Sequence, residues 1–349
     1  MNLRIIHRTT YRYQGSIDMA QHMVHLSPVN TAVQRVLEHT LRITPEPASR
    51  SQTTDVFGNL RTFFSLQAPH DTLTVEADSA VQTCAPAELP HSAAWQKRRW
   101  ESVREHFLYR AKAPFDSASE FLFASPYVPR DDAFAAFARP VFKPGLPMLE
   151  AARALMERIH TELQYETNST EVNTPALQAL EQGKGVCQDF AHIMLGCLRS
   201  LGLPARYVSG YLLTRPPLGK PRLIGADASH AWVSVYVPYP AETQNRVKRG
   251  EGHDKNDAEA EAEDEDGVPP SPAPTCTATA GAWFDFDPTN NRCGWGSPGE
   301  DYVTLATGRD FADVSPMRGV IQGGTQHTLE VAVTVAPPDE LARLQTSAN

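Results

Sequence analysis

A thiol at Cys187, an imidazole at His230 and a carboxylate at Asp287 are, in this order along the chain, the residue types that acyl transfer through sulfur requires. The thiol attacks a carbonyl, the imidazole shares its proton, and the carboxylate orients the imidazole. Each occupies an informative local setting. Cys187 opens a segment in which Phe190, Ile193, Met194, Cys197, Leu198 and Leu201 fall on one helical stripe, ended by Gly202 and Pro204. Unpaired N–H groups and the positive end of a helix macrodipole favour a thiolate at such a position. His230 begins SHAWVSVYV, an alternating strand pattern whose stiff pleat would hold the ring direction. Asp287 ends the aromatic strand of WFDFDPTN, where Pro288-Thr289 turns the chain at a sheet edge. Asp285 lies two residues earlier on the same strand face, so periodicity does not separate it from Asp287.

The elements that must position these residues follow from patterning. Residues 1–88 read as a β-rich domain, with Leu3, Ile5, Thr9, Tyr11 and Tyr13 alternating up to a turn signal at Gly15. Leu37, His39, Leu41 and Ile43 alternate again, and Asp55–Asn59 reads as a turn between strands. Strands with turn punctuation and no helical period predict a small antiparallel sandwich. Residues 89–147 read as a connection, with a helix over 95–107 and loop beyond it. The Trp residues beside Lys97, Arg98 and Arg99 in that helix suit packing at a domain interface better than nucleic-acid binding.

From Met148 the period becomes helical, with Leu149, Ala152, Leu155, Met156, Ile159 and Leu163 on one stripe. Thr174-Pro175 predicts a short helix with Thr174 as its N-cap, closed by Gly183. Strands are expected over 206–213, 229–237, 283–287 and, at the end of a core spanning 148–335, over 329–335. Residues 241–280 are rich in Pro, Ala, Asp and Glu with almost no large aliphatic side chains, and read as a disordered insertion. Residues 336–349 read as a polar tail.

Composition narrows the function classes. The net charge is −9, but residues 241–280 carry ten acidic and four basic side chains, so only −3 remains for the rest of the 349 residues. No basic field for nucleic acid exists in that balance. No apolar run reaches the roughly 18–20 residues of a membrane helix, and the N-terminus lacks the pattern of a secretory signal. Five scattered cysteines argue for a reducing compartment, and the expected location is cytoplasmic. Cys187, Asp189 and His192 crowd one helix start, but no C-x-x-C pair or H-E-x-x-H motif supports zinc. No G-x-S-x-G elbow supports a serine hydrolase.

GVCQDFAHIMLGCLRSLGLPARYVSGYL, SHAWVSVYV and WFDFDPTNN resemble the three core motifs of the bacterial transglutaminase-like family, within the superfamily of transglutaminases and papain-like thiol proteases. The early YRY, LSP and DVFGN segments resemble the N-terminal region that accompanies this core. The resemblance implies an α+β fold, with a Cys-bearing helix packed on an antiparallel sheet and preceded by a β-sandwich-like domain. It places the catalytic Cys, His and Asp on Cys187, His230 and Asp287, the last chosen over Asp285 by the DPT motif. It implies a peptide or protein substrate and hydrolysis in preference to cross-linking, with no cofactor and no support for calcium. A protein-glutamine transglutaminase, or a non-catalytic module of the same fold that binds a peptide or a partner protein, stands as the alternative.

Overall fold

The computed structural model describes residues 1–85, 97–112, 115–167, 169–214, 229–239, 281–323 and 326–347, so the segment expected to be a disordered insertion lies outside the described residues. The chain begins with five antiparallel strands: β1 (Asn2–Val24), β2 (Gln34–Thr44), β3 (Ser49–Thr54), β4 (Leu60–Leu66) and β5 (His70–Thr83), in the order β2-β5-β1-β4-β3. Strand β1 does not turn at Gly15. It runs on to Val24, and its pairing with β5 slips between Arg12 and Ile17. Its first half pairs with β5 and its second with β4. Leu3 and Ile5 from one half and Ile17, Ala20 and Val24 from the other bury into one core, so the sheet curls over itself through this long strand.

The connecting segment contributes more than a linker. It carries α1 (Trp100–His106), a 3₁₀ turn (Ser117–Leu122) and α2 (Asp132–Ala138). Trp100 meets Phe142 edge-on and packs on the hydrophobic core that follows, while Trp95 lies outside the described residues. Phe134 of α2 is fully buried against the core.

The core then follows as α3 (Met148–Glu162), β6 (Gln164–Tyr165), α4 (Ala176–Gln182), β7 (Lys184–Gly185) and α5 (Cys187–Ser200). Next come β8 (Ala205–Leu212), β9 (Ser229–Pro238), β10 (Gly281–Asp287), β11 (Arg292–Trp295), β12 (Tyr302–Gly308) and α6 (Phe311–Val314). Gly183 ends α4 at φ +66, as expected of a C-terminal glycine. Thr174 does not cap α4. Pro175 holds that position, and the Thr174 hydroxyl accepts from the Glu171 N–H instead.

Strands β8–β12 form one antiparallel sheet in the order β11-β10-β9-β8-β12. One face of it packs Tyr207, Val233, Val235, Phe284 and Phe286 against Phe190, Ile193, Met194 and Cys197 of α5. A helix with almost every side chain buried is held on several sides. Gly196 is where this packing is closest, since a Cβ there would stand 2.9 Å from the Phe134 ring.

The chain closes with β13 (Met317–Gly323), β14 (His327–Ala336) and α7 (Pro338–Ser347). Both strands pair with β1. The expected strand over 329–335 therefore belongs to the N-terminal sheet and not to the core that begins at Met148, because Val333 and Val335 bury among Leu3, Ile5 and Val75. Alternation identifies a strand but not the sheet that receives it. The expected polar tail is largely helix, with Leu341 buried.

Two amide side chains join the domains. Gln34 donates to Thr304 O at 2.8 Å and accepts from Thr304 N at 2.7 Å. Asn59, fixed by Asp55 in the DVFGN turn, does the same to Thr307 at 2.7 and 2.8 Å. Each amide imitates a strand neighbour along β12, which is an edge of the five-stranded sheet. The N-terminal domain thereby covers an edge that would otherwise expose unpaired backbone.

Candidate active site

The thiol is positioned from both sides of its residue. Strand β6 pairs in parallel with β7, setting Tyr165 opposite Gly185. Val186 follows in extended backbone and Cys187 is the first residue of α5. The Asp189 carboxylate reaches back to accept the Val186 N–H at 2.8 Å and is itself held by the Thr170 hydroxyl at 2.6 Å. A carboxylate at the third helical position satisfies a backbone donor that the helix leaves free. Gly185 is required by this closure, because a Cβ there would lie 2.6 Å from Asp189 Oδ2 and 2.7 Å from Asp189 Cβ. Gly185→Ala is expected to cost about 1–3 kcal/mol of stability and to shift the start of α5. Thermal melts and alkylation rates at Cys187 would both fall below wild type, whereas an unaltered alkylation rate would show that the closure does not set the thiol.

Cys187 is partly exposed, while Cys197, ten residues further on, is fully buried and has its thiol pushed up by burial. His230 stands at the start of β9, opposite Gly210 of β8. Asp287 ends β10, one position beyond the Phe286–Val233 pair. These strand ends meet the N-terminus of α5, which brings the imidazole onto the carboxylate and close to the thiol. His230 Nε2 lies 2.7 Å from Asp287 Oδ2, and the ring is close enough to Cys187 to feel its sulfur electrostatically.

The Asp287 carboxylate is wholly buried and saturated with donors. Besides His230, its Oδ2 accepts from Tyr302 Oη at 2.6 Å and Asn290 Nδ2 at 2.8 Å. Its Oδ1 accepts from the backbone of Thr289 at 2.9 Å and Asn290 at 3.2 Å, closing the DPTN turn. Burial alone would push this carboxyl up, but the His230 bond and charge, with Tyr302 and Asn290, hold it below the usual range. Burial likewise opposes a charged imidazole at His230. The hydrogen bond to Asp287, the nearness of Cys187 and the charges of both outweigh it, and the His230 pKa is raised to about 10.

Asp285 is drawn into a different set of contacts. It accepts from the Ser234 hydroxyl and, at 3.2 Å, from the Trp232 indole, and burial keeps its pKa above the ordinary value. It braces the strand behind His230, whose ring stacks on Trp232 at 6.2 Å.

Tyr302 and Asn290 were not singled out from sequence. Asn290 sits in the WFDFDPTNN motif, where an Asp-Pro turn followed by Asn is the available signal. Tyr302 carries none. It lies on β12, three strands from β10 in the sheet order, and reaches Asp287 only because the sheet curls. His192 is fully buried, with its Nε2 accepting from Phe311 N at 3.2 Å and its ring stacked on Tyr127.

Residues 3–82 match the bacterial transglutaminase-like N-terminal region, and residues 135–246 match the transglutaminase-like superfamily, a span that holds Cys187 and His230. The proteins Mb2599c of Mycobacterium bovis and Rv2569c of Mycobacterium tuberculosis are each 34% identical over 335 residues, covering 96% of this chain and 92% of each relative. ML0607 of Mycobacterium leprae is 28% identical over 337 residues, covering 95% and 98%. A crystal structure described as a candidate cysteine protease from Cytophaga hutchinsonii superposes with a TM-score of 0.62 at 19% identity, over 97% of this chain and 92% of its own. Among the described residues no helix is long and apolar enough to cross a membrane. With the N-terminal curled sheet, the Cys-bearing helix and the antiparallel sheet behind it, the chain belongs to the bacterial transglutaminase-like family.

Proposed function

We propose that this protein is a cysteine peptidase or amidase that cleaves peptide or carboxamide bonds through Cys187, His230 and Asp287. The observation that carries the reading is an imidazole hydrogen-bonded to a buried carboxylate and held charged by it and by a nearby, partly exposed thiol. Family membership supports thiol chemistry, and the name given to the Cytophaga hutchinsonii neighbour agrees with hydrolysis.

In this reading the Cys187 sulfur forms a bond to the substrate carbonyl carbon, and the carbonyl π electrons move to oxygen. Collapse of that intermediate expels the amine, which takes its proton from the His230 imidazolium, and leaves a thioester on Cys187. Neutral His230 then removes a proton from water as the water attacks the thioester, releasing the acid and restoring the thiolate–imidazolium pair. Asp287 holds the ring in one orientation and balances its charge throughout. The Cys187 N–H, unpaired at the first helical position, is one donor to the oxyanion. Tyr165 is the second donor in this scheme. It is 50% exposed, in register with Gly185, and its hydroxyl pKa is raised by burial and then by the charge of Cys187.

Incubation with a peptide library, with and without a primary amine, tests the proposal. Wild type is expected to release new carboxyl termini, and Cys187→Ala to release none. Amine incorporation at glutamine in place of hydrolysis would assign the transglutaminase alternative, and retention of peptides without turnover would assign the binding module.

A further inference from the structure

Away from Cys187, a groove of about 830 Å³ opens where the N-terminal sheet, the 3₁₀ turn and the far end of the catalytic sheet meet. Its walls bring Arg61, Arg206, Arg309 and Arg318 together with the aromatic rings of Phe121 and Trp283. Arg206 is on the same rung of the sheet as Ser234 and Asp285, four residues along β8 from the position opposite His230. At about 3.3 Å per residue that places its row roughly 13 Å from the catalytic imidazole.

The cations here are incompletely answered. Arg309 pairs with Asp313 at 2.9 Å, but among the described residues no carboxylate lies within ion-pair distance of Arg61, Arg206 or Arg318. The Arg206 guanidinium lies 4.2 Å from the centre of the Trp283 ring, and its buried Nε has no hydrogen-bond partner. His25, 97% buried, also lines the groove, and its Nε2 has no hydrogen-bond partner either, with Asp55 Oδ2 3.8 Å away. Buried polar nitrogens without partners are unusual in a finished core, and the Arg206 Nε–H among them favours an acceptor from outside.

The sign and size of that acceptor follow from its surroundings. Asp55, Glu120 and Asp313 also border the groove. A dianionic phosphate would meet three carboxylates, whereas a single carboxylate matches the guanidinium fork and leaves less like-charge repulsion. The Phe121 and Trp283 rings beside Arg206 offer a surface to an apolar body. We propose that this groove binds a small organic carboxylate carrying an aromatic or aliphatic group, held by Arg206 with Arg61 and Arg318 on the opposite wall. The site is separate from the catalytic thiol, and its occupancy does not depend on the reaction proposed there.

Calorimetric titration of the full chain with N-acetyl-phenylalanine tests this, with N-acetyl-phenylalaninamide and inorganic phosphate as comparison probes. The acid is expected to bind and the amide to bind at least about tenfold more weakly, since the amide lacks the charge-assisted bond. Arg206→Gln should weaken the acid by a similar factor. Arg61→Gln, a change on the outer wall that leaves the sheet interior intact, should weaken it severalfold, so the proposal stays testable if Arg206→Gln misfolds. Equal binding of acid and amide, tighter binding of phosphate than of the acid, no binding of the acid, or undiminished binding in Arg61→Gln would each overturn it.

Discussion

Asp287→Ala is expected to lower peptide turnover on the order of 10⁴-fold, the loss seen when the orienting carboxylate of such a triad is removed. It is also expected to destabilise the fold by about 3–5 kcal/mol, as breaking one side of a buried pair does. The second effect follows from how many donors converge there. His230, Tyr302, the Asn290 side chain and the Thr289 and Asn290 amides all point at this one carboxylate. Without it they are left facing an apolar gap. Asp285→Asn is the matched control, because its carboxylate is equally buried but serves Ser234 and Trp232. That variant should lose stability while keeping turnover within about tenfold, less than a proton-transfer partner contributes. Steady-state kinetics at a temperature where both variants remain folded separate the two effects. If Asp285→Asn lost as much turnover as Asp287→Ala, the orienting role would belong to the strand as a whole and not to Asp287.

The contrast between these aspartates marks where sequence stops being informative. The helix at Cys187 and the strands at 205–212, 229–238 and 281–287 are legible because their signals are local: an apolar stripe, a period of two, and Gly or Pro at the ends. Asp285 and Asp287 share the strand's periodicity and face, and the motif's resemblance chose between them. The hydrogen bonds give a physical reason for the choice. Asp287 lies past the last β9–β10 pair, where its side chain can turn toward His230, while Asp285 sits beside Ser234 within the ladder. Tyr302 and the destination of 329–335 depend on how the sheets curl and which edge is vacant, and those are properties of the assembled fold. So is the pairing of Gln34 and Asn59 with β12, made by residues 270 and 248 positions from their partners.

Protonation of His230 offers the second large effect, and its direction is fixed. The imidazole is raised from 6.5 to about 10 by Asp287 and Cys187, against burial. A group raised in the folded state contributes stability that is complete below its unfolded value, about 6.5, and fades as pH rises through its folded value. The stability difference between wild type and His230→Gln should therefore shrink steadily from about pH 6.5 to about 10. Asp287 has the opposite sign: held below its usual range, it stabilises above the unfolded carboxylate value of about 3.9 and loses that contribution as pH falls. Chemical denaturation across pH 5–10 reads the His230 window directly, and a difference that stayed constant across it would mean the ring is not protonated in the fold. The same charge predicts the labelling of the thiol. At neutral pH iodoacetamide should modify Cys187 faster than the more exposed Cys84, because Cys187 has an imidazolium partner and Cys84 does not. His230→Gln should remove most of that advantage, by about 10²-fold if the ring acts as acid and base. Cys84, unchanged in its surroundings, serves as the internal standard, and equal rates at the two thiols in wild type would dissolve the pair on which the proposed chemistry depends.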